Sequence, residues 1–358
     1  MPAPAKYTEV MSVIQRRIDE GDYLLSSIPG ERKIAEDTGV SYMTARRAVS
    51  ELLELKVLTR HPSGALDVHP SYAKRTRPAE VVLLYPAYAS TYLTQLRGLV
   101  SEFADEREVR LRPVQFVHWD ESTVVEAAAQ ARGAIVIPSG EPLPPRLIEA
   151  FKAKKIVMLD GDYSDVGIRS IRLFSQASIQ KVLNHLYDLG HRQIDCVNTQ
   201  NQNAEIRRRI DIWRQWIERK GIAGRLWDNP AAPYTDPTIA AYKLMSRLLD
   251  NGQIEATALV GTTCPAAIGM MRASWERGVH VGKELSICAM NIEPPAEFFC
   301  PSITGLQMPK LAGVLGACFD WIFGPDQFDG AKLLEPKSAA LFEGESTRRP
   351  TAASIAKK

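Results

Sequence analysis

Beginning at Val81, short apolar runs rich in β-branched residues alternate with longer stretches whose apolar residues recur at helical spacing. VVLLY is followed by LTQLRGLVSEFADE and RLRPVQF, and GAIVIP by PRLIEAFKAK and KIVMLD. The alternation resumes with QKVLNHLYDLG, QIDCVNT, RRRIDIWRQWIERKG, TALVG, PAAIGMMRASWERG, LSICAMN and ITGLQM. A strand that is apolar at consecutive positions is buried on both faces, as in a parallel sheet covered by helices. The rhythm therefore predicts an α/β fold of parallel sheets with helices on both faces. About 270 residues of it are more than one such sheet usually needs, so two similar lobes with a cleft between them are expected.

The first 69 residues follow another pattern. YTEVMSVIQRRIDEG sets Val10, Ile14 and Ile18 on one helical face, and ERKIAEDTG predicts a second short helix ending at Gly39. Ser41 can cap a third helix over 42–55, whose apolar face is Ala45, Ala48, Val49, Leu52 and Leu55. VLTRHPSGALDV reads as two short strands around a Pro-Ser-Gly turn. PSYAKRTRPA, with two prolines, three cations and no periodicity, reads as a linker. The expected organisation is a helical unit at 1–69, a linker at 70–79, a two-lobed domain at 80–345 and a disordered tail at 346–358.

Paired cations on the third helix ask for an explanation. A core helix has no use for Arg46 beside Arg47, whereas a helix lying against a polyanion does. The alternative is a solvated charged face, but arginines, turn, strand pair and basic linker occur here in the order of a winged helix-turn-helix. Ser41, Tyr42 and Thr44 would meet phosphates or base edges at the N-terminal end of the helix. Arg46 and Arg47 can hold phosphate or the O6/N7 edge of guanine bidentately. His61 and Gly64 would sit at the wing tip. The formal net charge is only +2, so any DNA-binding surface must be local.

Composition narrows the rest. The five cysteines, Cys196, Cys264, Cys288, Cys300 and Cys318, show no CxxC or Cys/His spacing and read as small thiols in a reducing cytoplasm. No metal or other cofactor is expected. MPAPAKYTEV lacks the apolar run of a signal peptide, and no segment has the apolar length of a membrane span. No P-loop, Gly-x-Gly-x-x-Gly, Gly-x-Ser-x-Gly or His-Glu-x-x-His motif occurs, so catalysis is not expected.

In a two-lobed α/β domain a ligand is expected where strands end at their carboxyl edge. Tyr88 and Tyr92 follow VVLLY, Asp160 follows IVML, Phe174 follows SIRL, Thr263 follows TALVG and Asn291 follows SICAM. Arg209 is the cation expected in the cleft, and at least one of the consecutive Arg207, Arg208 and Arg209 must be plain surface. Aromatic planes stack on sugar faces, while Asp, Asn and Arg hold hydroxyls through paired hydrogen bonds. Tyr88, Tyr92 and Phe174 can equally be packing residues.

Two family resemblances arise from these residues. IPGERKIAEDTGVSYMTARRAVSELLELKVLTRHPSGALDV resembles the winged helix-turn-helix of GntR-type bacterial regulators. That resemblance implies that Arg32, Thr44 and Arg46 contact DNA and that Gly64 lies at the wing tip. Gly30 stands where Ser or Ala is usual, Tyr42 where Arg is common, and HPSGALDV departs from the usual Gly-x-Gly-aromatic wing. Residues 80–345 resemble the LacI-type effector domain, which shares the fold of periplasmic sugar-binding proteins, through HLYDLGHRQIDCVN, RIDIW, CPSITGL and TALVGTTCPAAIGMMRASWERGVHVGKELSICAMN. By that resemblance Arg209 is the effector-binding arginine, and Asp160 and Tyr234 fall on pocket positions. Thr263 and Cys264 replace the usual Asn-Asp, Asn291 an acidic residue and Ile212 a glycine, so an acidic clamp has become neutral.

The reading that follows is a dimeric, cytoplasmic transcriptional repressor. It would bind a near-palindromic double-stranded operator and respond to a small effector, a sugar being one candidate. The ligand would act through its different affinity for two states of the lobes. The alternatives are the same architecture answering to a non-sugar ligand or a protein co-effector, and a solute-binding protein for transport. The helix-turn-helix disfavours transport.

Overall fold

The computed structural model describes residues 6–20, 23, 27–72, 80–130, 132–201, 203–232, 235–324 and 332–350. The chain divides into two compact units, Met1–Ala79 and Glu80–Lys358.

In the first unit α1 (Lys6–Glu20), α2 (Glu31–Thr38) and α3 (Tyr42–Glu54) precede an antiparallel hairpin of β1 (Leu58–Arg60) and β2 (Leu66–Val68). Gly39 ends α2 in the left-handed conformation, φ 65°, and its N–H bonds back to the Glu36 carbonyl at 3.3 Å. A β-carbon there would touch nothing, so the glycine serves backbone conformation, not packing. Two residues later Ser41 Oγ accepts the Thr44 N–H at 3.2 Å and starts α3. Ala45, Ala48, Val49 and Leu52 of α3 pack with Val10 and Ile14 of α1 and Leu58 and Leu66 of the hairpin. Their spacing fills one helical face and leaves Tyr42, Met43, Arg46, Arg47 and Ser50 exposed. Residues 70–72, expected in a linker, are helical, because Tyr72 lays its ring against this core. Residues 73–79 lie outside the described residues.

The second unit holds two six-stranded sheets. The first has the order β13-β7-β6-β5-β3-β4 and is parallel throughout: β3 (Glu80–Pro86), β4 (Arg110–Phe116), β5 (Ala134–Val136), β6 (Ile156–Leu159), β7 (Arg169–Ile171) and β13 (Leu333–Leu334). The second has the order β14-β12-β11-β10-β8-β9: β8 (Ile194–Asn198), β9 (Leu226–Asp228), β10 (Ala258–Gly261), β11 (Ser286–Ala289), β12 (Thr304–Leu306) and β14 (Leu341–Phe342). The wholly parallel sheet expected here is broken at its edge, where β14 runs antiparallel to β12.

Both faces of each sheet are covered, as the apolar runs require. Along β3, Val82 and Leu84 enter one core, while Val81, Leu83 and Tyr85 enter the other. The helices α4 (Thr91–Glu106), α5 (Ser122–Gln130) and α6 (Pro145–Lys152) belong to the first lobe. The helices α7 (Gln176–Asp188), α8 (Ala204–Lys220), α9 (Pro237–Asp250) and α10 (Cys264–Glu276) belong to the second. After β12 the chain returns, and α11 (Ala312–Phe323) packs on α4 through an edge-on Phe103–Phe319 pair with ring centres 5.2 Å apart.

The expected tail needs correction over residues 346–350. Ser346 is fully buried, donates its N–H to the Ser302 carbonyl at 2.9 Å and accepts the Thr304 N–H at 2.9 Å. The Arg348 N–H reaches Ser286 Oγ at 3.0 Å. The segment completes hydrogen bonds that β11 and β12 would otherwise leave open. Residues 351–358 lie outside the described residues.

Candidate functional site

Each unit presents its own cluster. On the first unit Tyr42 and Met43 are 44% and 66% exposed at the start of α3, and Arg46 extends into solvent one turn on. Arg32 is exposed on α2. Ser41 and Thr44 bond each other through their hydroxyls at 2.8 Å, so both are held at the helix start. Arg47 differs from expectation, because its guanidinium stacks 4.1 Å from the Tyr7 ring centre and joins α3 to α1. At the hairpin, His61 Nδ1 bonds Ser63 Oγ at 3.0 Å, and Gly64 takes φ 89° to close the turn.

One residue of this face carried no local signal. Arg60 donates to the Gly64 carbonyl at 3.0 Å and to Glu31 Oε1 at 2.6 Å. It therefore ties the hairpin turn to the first residue of α2. The Glu31 carboxyl is held below the usual range, chiefly by the Arg60 hydrogen bond and in part by the charge of Arg46.

In the second unit the carboxyl ends of β6, β10 and β11 bring Asp160, Thr262 and Asn291 towards α8. Asn203 Oδ1 caps α8, accepting the Ile206 N–H at 2.9 Å, and the helix then turns its three arginines to different fates. Arg207 is exposed, Arg208 is half-buried and Arg209 is only 5% exposed. Arg209 Nη1 donates to the Thr262 carbonyl at 2.7 Å and to Asn291 Oδ1 at 2.6 Å, while its buried Nε has no hydrogen-bond partner. The Phe174 ring lies 5.3 Å from the guanidinium.

The first lobe supplies the facing groups. Burial pushes the Asp160 carboxyl up to about 6, against the pull of Arg209, and Glu205 pushes it further up. Asp160 also has φ 70°, a left-handed conformation uncommon for a residue with a side chain. The Tyr92 hydroxyl is buried without a partner in hydrogen-bond geometry, and burial with the Asp160 charge raises its phenol well above the ordinary range. Tyr163 is pushed up to about 12 by burial and by the same Asp160 charge.

Behind this cluster is a dense ionic knot. Arg172 pairs with Asp162, with Glu205 at 3.3 Å and with Glu335 at 3.1 Å. Arg208 pairs with Glu205 at 3.0 Å and donates to the Phe174 carbonyl. Glu293 follows β11, and burial raises its carboxyl while the Thr91 hydroxyl of α4 holds it down.

Comparison with known proteins finds a match for each unit. Residues 6–68 match the model of the bacterial regulatory proteins of the gntR family. Residues 183–312 match the model of the periplasmic binding protein-like domain. The chain joins a GntR-type DNA-binding domain to a periplasmic binding protein-like domain. The lactose operon repressor of Escherichia coli K12 is 25% identical over 296 residues, covering 76% of this chain and 78% of that one. The crystal structure of the Lac repressor bound to ONPG superposes with a TM-score of 0.64 at 20% identity, over 87% of this chain and 98% of that one. A LacI family regulator from Enterococcus faecium with bound ribose gives 0.63 at 17% identity, over 76% of this chain and 100% of that one.

Within the binding-protein-like domain, Arg209 touches Asn291 and Phe174 of the sequence candidates, and its charge reaches Asp160 and Tyr92. Thr263 stands one residue beyond, accepting from Gln200 Nε2 at 3.2 Å. Tyr88 is 38% exposed after β3 and is not among the residues these contacts join. Tyr234 lies outside the described residues. Sequence reading missed Glu205, Arg172, Thr262 and Glu293. Only Glu205 left a local trace, three residues before Arg208 on the same helix. In the GntR-type domain it missed Arg60. Among the described residues no helix is long and apolar enough to cross a membrane.

Proposed function

We propose that the chain is a cytoplasmic, sequence-specific DNA-binding transcriptional repressor, not an enzyme, whose operator affinity is set by a small polar ligand held at Arg209. The observation that carries the reading is the pairing in one chain of an exposed reading helix with a buried guanidinium that keeps an unpartnered Nε. The relatives named above are regulators, and solved structures of the same fold hold ONPG and ribose.

In this reading α3 enters the major groove at its N-terminal end. Tyr42, Met43 and Arg46 face base edges, and Ser41, Thr44 and Arg32 face phosphates, while Arg47 braces α3 on α1. The hairpin carrying His61 and Gly64 touches the flanking backbone. Ligand bound between the lobes engages Arg209, Asn291, Asp160 and Tyr92, stacks on Phe174 and reaches Thr263. Tyr88, part-exposed after β3, is the candidate for its outer side. Because the ligand prefers one arrangement of the lobes, it shifts operator affinity by the ratio of its affinities for the two.

The repressor works as a homodimer on a near-palindromic site. The apolar face of α9 and α10 supports this. There Ile239 and Trp275 are 54% and 70% exposed beside a hollow of about 740 Å³ that Phe299 also lines. A two-fold pair needs only one such patch on each copy.

The test is selection of bound sequences from a random duplex pool by the full-length protein, followed by salt titration of the winner. A near-palindromic consensus, and an affinity that falls linearly on a log–log salt plot, are expected. Recovery of no consensus would remove the repressor reading.

A further inference from the structure

We propose, building on that repressor reading, that the ligand seated at Arg209 carries an anionic oxygen, as carboxylate or phosphate, on a polyhydroxylated frame. The argument starts from charge. An arginine side chain stays protonated in a protein, so the buried Arg209 brings a permanent positive charge into the cleft. Both acceptors it bonds, the Thr262 carbonyl and the Asn291 side-chain amide, are neutral. Its Nε is buried with no hydrogen-bond acceptor.

The neighbouring carboxylates are already engaged. Glu205 serves Arg172 and Arg208, while Asp162 and Glu335 serve Arg172. Asp160 feels the Arg209 charge without forming an ion pair with it. Burial has also brought it towards neutrality, up to about 6. A ligand anion arriving at Arg209 would meet an acid ready to take up a proton and donate a hydrogen bond.

A second group of donors lies beside the guanidinium. Thr263, next to the Thr262 carbonyl that Arg209 holds, is the N-cap of α10 but makes no side-chain cap bond. Pro265 has no N–H and the Ala267 N–H is taken by the Thr263 carbonyl at 3.4 Å, so at this end of β10 the Cys264 and Ala266 amides are the uncapped donors, where the helix dipole favours negative charge. The buried Tyr92 hydroxyl, which interacts with the Asp160 carboxyl, adds a polar group from the other lobe. An aspartate at position 291 would neutralise Arg209 from within. Asparagine leaves that charge to the ligand.

The experiment titrates the full-length protein by calorimetry with matched triads: an aldose, its aldonate and its terminal phosphate, namely glucose, gluconate and glucose 6-phosphate, and the ribose set. At least one acid should bind tenfold or more tightly than its neutral aldose. The gluconate-type and phosphate arms separate the two sources of charge. Asp160→Asn should strengthen the anion several-fold. Asn291→Asp should weaken it tenfold or more while leaving the melting temperature near that of the parent. Arg209→Gln should abolish it, and the two gentler variants carry the test if this one folds poorly.

A neutral aldose binding as tightly as its acids would overturn the proposal and leave the repressor reading standing. So would an Asn291→Asp variant with unchanged preference, or a set of acids none of which binds. Loss of the repressor reading would show instead as failure to select DNA, which these titrations do not touch.

Discussion

The two units place their chemistry oppositely. The GntR-type domain buries a plain apolar core and carries Tyr42, Met43 and Arg46 outside it, while the binding-protein-like domain buries Arg209 and the Tyr92 hydroxyl, with Asp160 half-buried beside them. A polyanion is too large to enclose, so it is met on an exposed face whose attraction is long-ranged and weakened by salt. A small ligand can be enclosed, so its groups sit where water is scarce and each unmet hydrogen bond costs more. DNA binding in this molecule should therefore answer to salt, and ligand binding to burial and protonation.

The largest effect tests whether the small core stands by itself. Leu52 is fully buried in α3, and Leu52→Ala should cost about 2–5 kcal/mol. Scanning calorimetry should show the transition of the small unit moving down while the main transition stays. A common shift of both would mean that the two units melt as one.

Next, Arg46→Ala should cost about 1–3 kcal/mol of operator affinity if the residue reads a base, or lower the salt slope by about one if it holds a phosphate. Ligand affinity should not change. Arg209→Ala should give the mirror result, with ligand response lost and ligand-free operator affinity kept. An Arg46→Ala variant with parental operator affinity and salt slope would end the groove-entry assignment.

A smaller effect belongs to Arg60. Exposed ion pairs contribute little stability, about 0–1 kcal/mol, so Arg60→Ala should barely move the melting temperature. By releasing the Gly64 carbonyl and Glu31 it should loosen the wing and weaken the operator by a few-fold, read by fluorescence anisotropy. Arg60→Lys should not fully restore it, because an ammonium cannot span two acceptors as a guanidinium does.

How much of this was legible follows from the range of each interaction. The strand–helix rhythm, the Gly39 stop and the Ser41 cap are local and could be read directly. The Arg209 cluster was approached through strand ends and family resemblance, and the structure joins Asp160, Phe174 and Asn291 to it. What stayed hidden depends on residues far apart in sequence. The Arg172–Glu335 pair spans 163 positions, and the Arg60–Glu31 pair spans 29. The 346–350 segment lacks apolar periodicity because its hold on the sheet is made of hydroxyls and backbone amides. Arg47 looked like its neighbour Arg46 because nothing in the helix pattern reveals that Tyr7 of another helix lies beneath it.

The smallest effect concerns pH, where two buried groups of the larger unit oppose each other. Burial raises Asp160 from 3.8 to about 6, so the native state binds the more protons between those values and stability falls as pH rises through them. Burial lowers His191 from 6.5 to about 4, where it sits between the Thr257 hydroxyl at 2.8 Å and the Arg348 carbonyl at 3.0 Å. Here the unfolded state binds the more protons, so stability rises over nearly the same interval. The two slopes offset in the parent protein. Asp160→Asn removes the falling slope alone, so the melting temperature of the variant relative to the parent should climb between pH 4 and pH 6 and then level. The gain should be about 1–2 kcal/mol, below the full shift because Asp160 is partly open to solvent. A difference that stays flat across that interval would mean that Asp160 titrates as an ordinary surface carboxyl. The contrast drawn above between an outer face governed by salt and an inner one governed by protonation would then lose its second half.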